Sequence, residues 1–226
     1  MQIWIERRSA HKWHKVSAAM VGQRDFGGGD VASLHVGDRG RTVAVEVEVD
    51  EASRREGWVF AFRRDGTTIR RAGKAYGDEG ARVGDLNGDG RLEFEVWNDK
   101  GYGCHAAQNR WPDVYAVRRG RFVMACSSCP SIYREARRDV LWHLQTMPCD
   151  PVEWRLYGRA LKYAGIKESP RHAYRRVMRL ARQFLRAPDD DRYTCCIEES
   201  IPYLEEQAKR NTPFTKLRRP AFTDKP

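Results

Sequence analysis

Oxygen-bearing side chains recur at alternate positions in Asp85-Leu86-Asn87-Gly88-Asp89-Gly90-Arg91-Leu92-Glu93, at places 1, 3, 5 and 9 counted from Asp85, with Gly90 at place 6. A hard divalent cation such as calcium takes six to eight oxygens at ~2.3–2.6 Å, and alternate side chains in a tight turn can converge on one point. Gly90 permits the sharp bend. The backbone carbonyl of Arg91, at place 7, is the usual further ligand, and Glu93 closes the sphere directly or through water. The expected ligands are therefore Asp85, Asn87, Asp89, Arg91 and Glu93, and the expected cofactor is calcium. Its expected role is structural, since neutralising clustered carboxylates fixes a turn and links binding to folding. The alternative is that Asp85 and Asn87 make only Asx-type turn hydrogen bonds. An EF-hand is set aside, because its loop ends on a carboxylate at place 12 and that place here is Val96, inside an expected strand.

The other reactive side chains form weaker patterns. Cys126 and Cys129 make one CxxC, and the nearest further candidates for ligation are His143, Cys149 and the Cys195-Cys196 doublet. A structural zinc site needs four Cys or His ligands, so Cys126, Cys129 and Cys149 are candidates for a second metal site or a disulfide. Unpaired structural thiols and a redox pair are the other readings, but no βαβ setting surrounds the CxxC as a redox role would require. Six histidines are present, and none stands at a telling spacing from a carboxylate or thiol; His105, beside Cys104, is the most suggestive. With no GxSxG, HExxH or phosphate-cradling GxxxxGK[ST], no enzyme is expected. The long 98–112 loop carries Tyr102, His105 and Trp111, an aromatic and polar set suited to binding.

The elements that must position these residues emerge when the chain is compared with itself. Leu34–Val49 (LHVGDRGRTVAVEVEV) matches Ala81–Trp97 (ARVGDLNGDGRLEFEVW), with a turn three residues shorter in the first copy. Gly57–Ile69 (GWVFAFRRDGTTI) matches Pro112–Met124 (PDVYAVRRGRFVM). Alternation within each run is a strand signature: Val43, Val45, Val47 and Val49 face one way, and Ala44, Glu46 and Glu48 the other. Likewise Leu92, Phe94 and Val96 oppose Glu93, Glu95 and Trp97. Strands are expected near 43–49, 58–63, 67–72, 92–97, 113–118 and 121–125, with hairpin turns at Arg64-Asp65-Gly66 and Arg119-Gly120. A partial earlier unit is expected from Trp13-His14-Lys15-Val16, joined through Gly27-Gly28-Gly29.

A strand ending in Val-Gly-Asp, an Asp/Asn-rich loop and a following strand resemble the FG-GAP repeats, integrin-type β-propeller units also found in bacterial proteins with VCBS-like repeats. The resemblance covers two units over about 31–125, and only the second keeps the ligand set. The first, Gly37-Asp38-Arg39-Gly40-Arg41, has arginines where a cation would sit and is not expected to bind metal. The resemblance implies calcium binding, a protein or glycan partner, and an extracellular or envelope setting. A closed propeller needs about four to eight blades, so two units imply a blade-like or sandwich-like fragment.

After Pro130 the pattern turns helical. Helices are expected at 131–146, 152–164, 170–186 and about 197–210, bounded by Met147-Pro148, Asp150-Pro151, Gly165, Ser169-Pro170 and Pro188. The stripe over 152–188 resembles a tetratricopeptide-type hairpin with three extra residues in its turn, and core packing is the expected role of that stripe. The fold class expected is thus α+β: antiparallel β-meander repeats over 1–128, a helical region over 129–212, and a loose tail over 213–226.

Composition fits a folded domain. The 226 residues are 41% hydrophobic, 11% aromatic and 32% charged. That is too aromatic for a disordered chain and too charged for a membrane protein. No run reaches the ~20 apolar residues of a membrane-spanning helix, and MQIWIERRSAHKWHK has no apolar stretch after its charges, so neither a span nor a signal peptide is expected. The net charge of +10 is uneven: residues 1–125 hold 21 basic and 18 acidic side chains, and 126–226 hold 20 and 13. Much of that excess sits on Arg171, Arg175, Arg176, Arg179, Arg182 and Arg186, at the spacing of a solvated helix face. The function expected is a non-enzymatic calcium-binding β-repeat module for protein or glycan interaction. The alternatives are a basic helical adaptor for nucleic acid or anionic surfaces and a divalent-metal-dependent hydrolase.

Overall fold

The computed structural model describes residues 2–9, 12–20, 31–51, 54–65, 68–99, 110–186 and 197–218. The chain forms two compact units. One comprises Met1–Asn98 and Pro112–Cys126; the other comprises Asp99–Trp111 and Ser127–Pro226.

The first unit is made of antiparallel meanders. β1 (Gln2–Ser9) and β2 (Lys12–Met20) form a hairpin, where the sequence suggests only a partial unit around 13–16. β3 (Val31–Gly37), β4 (Thr42–Glu51), β5 (Arg54–Asp65) and β6 (Thr68–Gly77) pair in sequence order as a four-stranded sheet. β7 (Ala81–Gly84), β8 (Glu93–Asp99), β9 (Arg110–Arg118) and β10 (Arg121–Met124) do the same. The two self-similar runs therefore fall on equivalent strands, with Gly37 closing β3 as Gly84 closes β7.

The alternation sorts β4 as its pattern requires. Val43, Val45 and Val47 pack with Phe60 and Phe62 on one face. Ala44 points the other way, with Val59 and Ala61, into a core shared with Ala81, Val83, Leu92, Phe94 and Val96 of the second meander. The two sheets thus pack face to face, and their spacing depends on small residues. A Cβ on Gly73 of β6 would lie 2.3 Å from Cβ of Phe122 on β10, and one on Gly37 would lie 2.4 Å from Cγ of Leu92. The far face of β8 is the exception to simple alternation. Glu93 and Glu95, on the face opposite Leu92, Phe94 and Val96, are also buried, at 2% and 1% exposed. Glu95 is held by its cross-strand partner Arg82, at 2.7 Å.

The second unit contains α1 (Pro130–Thr146), α2 (Pro151–Ala164), α3 (Pro170–Leu185) and α4 (Ile197–Arg210). The first three open on proline, whose missing N–H costs nothing at that position. Asp150 accepts from Val152 N at 2.7 Å to cap α2, Ser169 caps α3, and Gly165 ends α2 at φ +69°. α1 runs beside α2, and α3 beside α4. Trp154 of α2 and Tyr174 of α3 meet ring to ring, 4.6 Å apart. However, α2 packs along α1, and α3 along α4 and α1, not against each other as the helical hairpin expected over 152–188 would. Phe214 stacks on Trp154 at 5.6 Å and touches Tyr157 and Tyr174, and Leu217 is buried, so the stretch expected as a loose tail is docked as far as residue 218.

The arginine face of α3 is less free than its spacing implies. Arg171 donates to the carbonyls of Ala208 and Lys209, Arg176 reaches Glu168 at 2.8 Å, and Arg182 reaches Glu205 at 2.6 Å. Among the described residues, no helix is long and apolar enough to cross a membrane.

The sheet spacing is open to direct test. Gly73→Val should destabilise the protein by at least about 2 kcal/mol in urea unfolding, because the branched side chain enters space already held by Phe122. Phe122→Ala in the same chain should recover part of that loss, which a purely local effect at residue 73 would not allow.

Candidate metal centre

The acidic loop spans the gap between β7 and β8 and is organised by hydrogen bonds onto its own carboxylates. Asp85 Oδ1 accepts from Gly88 N at 2.8 Å and Asp89 N at 2.9 Å, and its Oδ2 accepts from Gly90 N at 2.9 Å. Asn87 Oδ1 accepts from Asp89 N, and Asp89 Oδ1 from Arg91 N, both at 2.9 Å. Gly88 and Gly90 sit at φ +80° and +81°. These are left-handed conformations that glycine adopts without a Cβ penalty. The Asx-type bonds expected of a simple turn are therefore made, and they do more than close the turn: they draw Asp85 and Asp89 inward.

Glu93 enters from the start of β8. Its Oε2 accepts from Leu86 N at 3.0 Å and its Oε1 from Asn87 Nδ2 at 3.2 Å. One carboxylate oxygen from each of Asp85, Asp89 and Glu93 lies within 4.8 Å of the others. Oxygens on opposite sides of a calcium ion stand up to about 4.8 Å apart, twice a ~2.4 Å bond, so the spacing suits such a cation. Among the described residues, no lysine or arginine ion-pairs with any of the three. Burial pushes the Glu93 carboxyl up to about 7, and the charges of Asp89 and Asp85 push in the same direction, while hydrogen bonds from Leu86 and Asn87 oppose them. All the donors are oxygens, the chemistry that hard cations prefer.

The remaining expected site residues do not join this centre. Cys126, Cys129 and Cys149 are buried and not disulfide-bonded, and no cluster of metal-binding side chains forms around them among the described residues. Trp111 is buried, 5.7 Å from the Tyr133 ring and beneath the Arg159 guanidinium, instead of presenting a surface to a ligand. Tyr102 and His105 lie outside the described residues.

Sequence reasoning passes over a set of arginines at the same end of the sheets. The self-alignment already pairs Arg41 with Arg91 and Arg63 with Arg118. All four line one open cleft of about 790 Å³. The doubled arginines of FRRDG and VRRGR are the available signal, overshadowed by their role as hairpin turns. Compared with family models, curated proteins and solved structures, the chain finds no match in any of the three.

The position of Glu93 gives the cation-free protein a defined pH response. A carboxyl raised in the folded state binds its proton more tightly than in the unfolded chain. Its contribution to stability is full below about pH 4.5 and is lost as pH rises through 7. Glu153, buried and pushed up to about 8, works in the same sense. The Glu93 share is therefore the difference between wild type and Glu93→Gln. In chelator, the unfolding free energy of wild type should fall relative to Glu93→Gln between about pH 4.5 and 7.5, by about 1–3 kcal/mol. Parallel pH curves would mean that Glu93 is not strained by its neighbours.

Proposed function

We propose that this chain is a non-enzymatic β-repeat module stabilised by calcium bound between β7 and β8, and that it serves in protein or glycan interaction. One observation carries the reading: three carboxylates, one of them buried, meet in a preorganised loop with no cationic side chain paired to them among the described residues. A cation there would offset their mutual repulsion. Asp85, Asn87, Asp89, Glu93 and the Arg91 carbonyl would hold it, and the ion would supply charge neutralisation that pins β7 to β8. An all-oxygen donor set in a loop closed by glycines favours calcium over magnesium, which keeps more of its own water.

The resemblance to FG-GAP units supports the same assignment, because the acidic loop occupies the equivalent place in a repeated four-stranded meander. The first copy supports it by contrast. Its shorter turn puts Asp38 and Arg39 at φ +53° and +54° and brings in arginines instead of acceptors. The interaction role rests on the repeat architecture and not on the 98–112 loop, given that Trp111 is buried.

Calorimetric titration of chelator-stripped protein should show one calcium site with a Kd on the order of 10⁻⁴ M or tighter. Saturating calcium should raise Tm by about 5 °C or more. Asp89→Asn is the informative variant, because its amide oxygen can still accept from Arg91 N while the charge is lost. It should weaken calcium binding at least tenfold and leave the stability of the stripped protein nearly unchanged. Equal calcium affinity in Asp89→Asn and wild type would refute the site.

A further inference from the structure

The cleft of about 790 Å³ is lined by seven arginines against two aspartates, a net of +5, with Val117 and Gly120 completing its wall. It is built entirely within the β unit, from four connections: the turn after β3, the β5–β6 hairpin, the acidic loop and the β9–β10 hairpin. Arg41 and Arg91 are equivalent positions of the two repeats, and so are Arg63 and Arg118. Packing the two meanders face to face therefore brings equivalent guanidinium groups to a common space. Arg70, Arg71 and Arg119 add to them.

This arrangement works against the stability of the sheets. Arg63 sits directly opposite Arg70 in the β5–β6 ladder, and Arg118 directly opposite Arg121 in the β9–β10 ladder. Like charges facing each other across strands are destabilising. Arg119 occupies a left-handed conformation at φ +50°. That conformation costs a long L side chain energy that Asn or Gly would avoid. Relief is slight. Asp65 pairs with Arg63 at 2.9 Å, and among the described residues no carboxylate pairs with Arg41, Arg70, Arg91, Arg118 or Arg119. A solvated arginine face would not need its members opposed in register at two separate hairpins.

We propose that this cleft binds a compact, multiply charged phosphate ligand, at a site that adjoins the acidic loop through Arg91 but needs no cation there. Guanidinium forks match the oxygens of phosphate in pairs, and several converging forks recognise several linked phosphate groups. The volume lies within the ~300–1,000 Å³ range of small-molecule pockets, which is larger than one orthophosphate needs and suits a short polyphosphate or a polyphosphorylated small molecule. Among the described residues no aromatic side chain lines the cleft, so it lacks the stacking platform on which single-stranded nucleic acid depends. Nor does it offer an apolar wall for a base, an acyl chain or a drug-like ring.

The test uses the full chain in calcium-free, chelator-containing buffer, since polyphosphate itself sequesters calcium. Inorganic tripolyphosphate is titrated calorimetrically at ~50 mM salt, low enough to keep ionic contacts strong, beside orthophosphate, duplex DNA and phosphatidylserine vesicles. Tripolyphosphate should bind with one-to-one stoichiometry and at least tenfold more tightly than orthophosphate. The double variant Arg70→Gln/Arg118→Gln should weaken it at least tenfold. Because that variant removes both opposed arginine pairs, its Tm without ligand should equal or exceed that of wild type, which separates lost binding from lost folding. Arg175→Gln, at an exposed position on α3, should leave tripolyphosphate binding unchanged and so distinguish the cleft from general surface charge. Binding of DNA or vesicles without tripolyphosphate, or equal tripolyphosphate affinity in wild type and the double variant, would overturn the proposal.

Discussion

The approach of Gly73 to Phe122 sets the distance between the two sheets of the β unit, and most of what that unit can do follows from that distance. One meander presents Ala44, Ala61, Ala72, Ala75 and glycine, while the other presents Phe94, Tyr115 and Phe122. Small against large is how two facing surfaces fill space at the density of a protein interior. Both meanders run in the same strand order, so this contact also gathers equivalent turns at one end. Asp38 N donates to Gly90 O at 3.2 Å, joining the short turn of the first copy to the acidic loop of the second. Arg64 N donates to Arg41 O at 2.7 Å, tying the β5–β6 hairpin to that same turn.

Opposite charges are thereby kept on either side of a few residues. The backbone of Arg91 belongs to the acidic loop, where its N–H bonds Asp89, while the residue also lines the arginine cleft. Loss of the loop's acceptors in the first copy and their retention in the second leave Arg41 and Arg91 in comparable places, but only Arg91 is anchored by a carboxylate. Under the proposed readings, a cation in the loop would order the backbone from which one wall of the cleft projects. Any resulting coupling must be reciprocal, with the anion changing cation affinity by the same factor.

Regular elements are legible wherever burial is one-sided and the period is clean. The Val43–Val49 alternation and the proline-bounded helices fall close to their expected places because local pattern and tertiary environment agree. β3 and β7 escape the sequence pattern. β3 exposes Leu34 and Val36, at 66% and 62%, which reverses the usual link between apolar residues and the core. β7 is only four residues long. Glu93 and Glu95 follow the alternation in direction yet both are buried, one by the loop it closes and one beneath Arg82. The docking of Phe214 depends on a hollow between Trp154, Tyr157 and Tyr174, beside Gly158, where a Cβ would stand 2.9 Å from the Phe214 ring. Tertiary space of this kind leaves no periodic trace.

The acidic loop can be read from sequence because its ligands are contiguous and their spacing is itself the geometry. The arginine cleft cannot, and the reason lies in register. A three-residue turn at Arg64-Asp65-Gly66 places Arg63 opposite Thr67 and conceals any repulsion. The hairpin instead pairs Asp65 with Thr68, which moves Arg63 opposite Arg70, with a bulge between Ala61 and Phe62 absorbing the offset further along. A three-residue shift in pairing register thus converts an ordinary ladder into one with opposed guanidinium groups, and only then does the matching Arg118–Arg121 pair look like more than a charged turn. Self-repulsion placed at corresponding hairpins of a repeat is a property of pairing, not of composition, so it becomes visible only when both ladders are known.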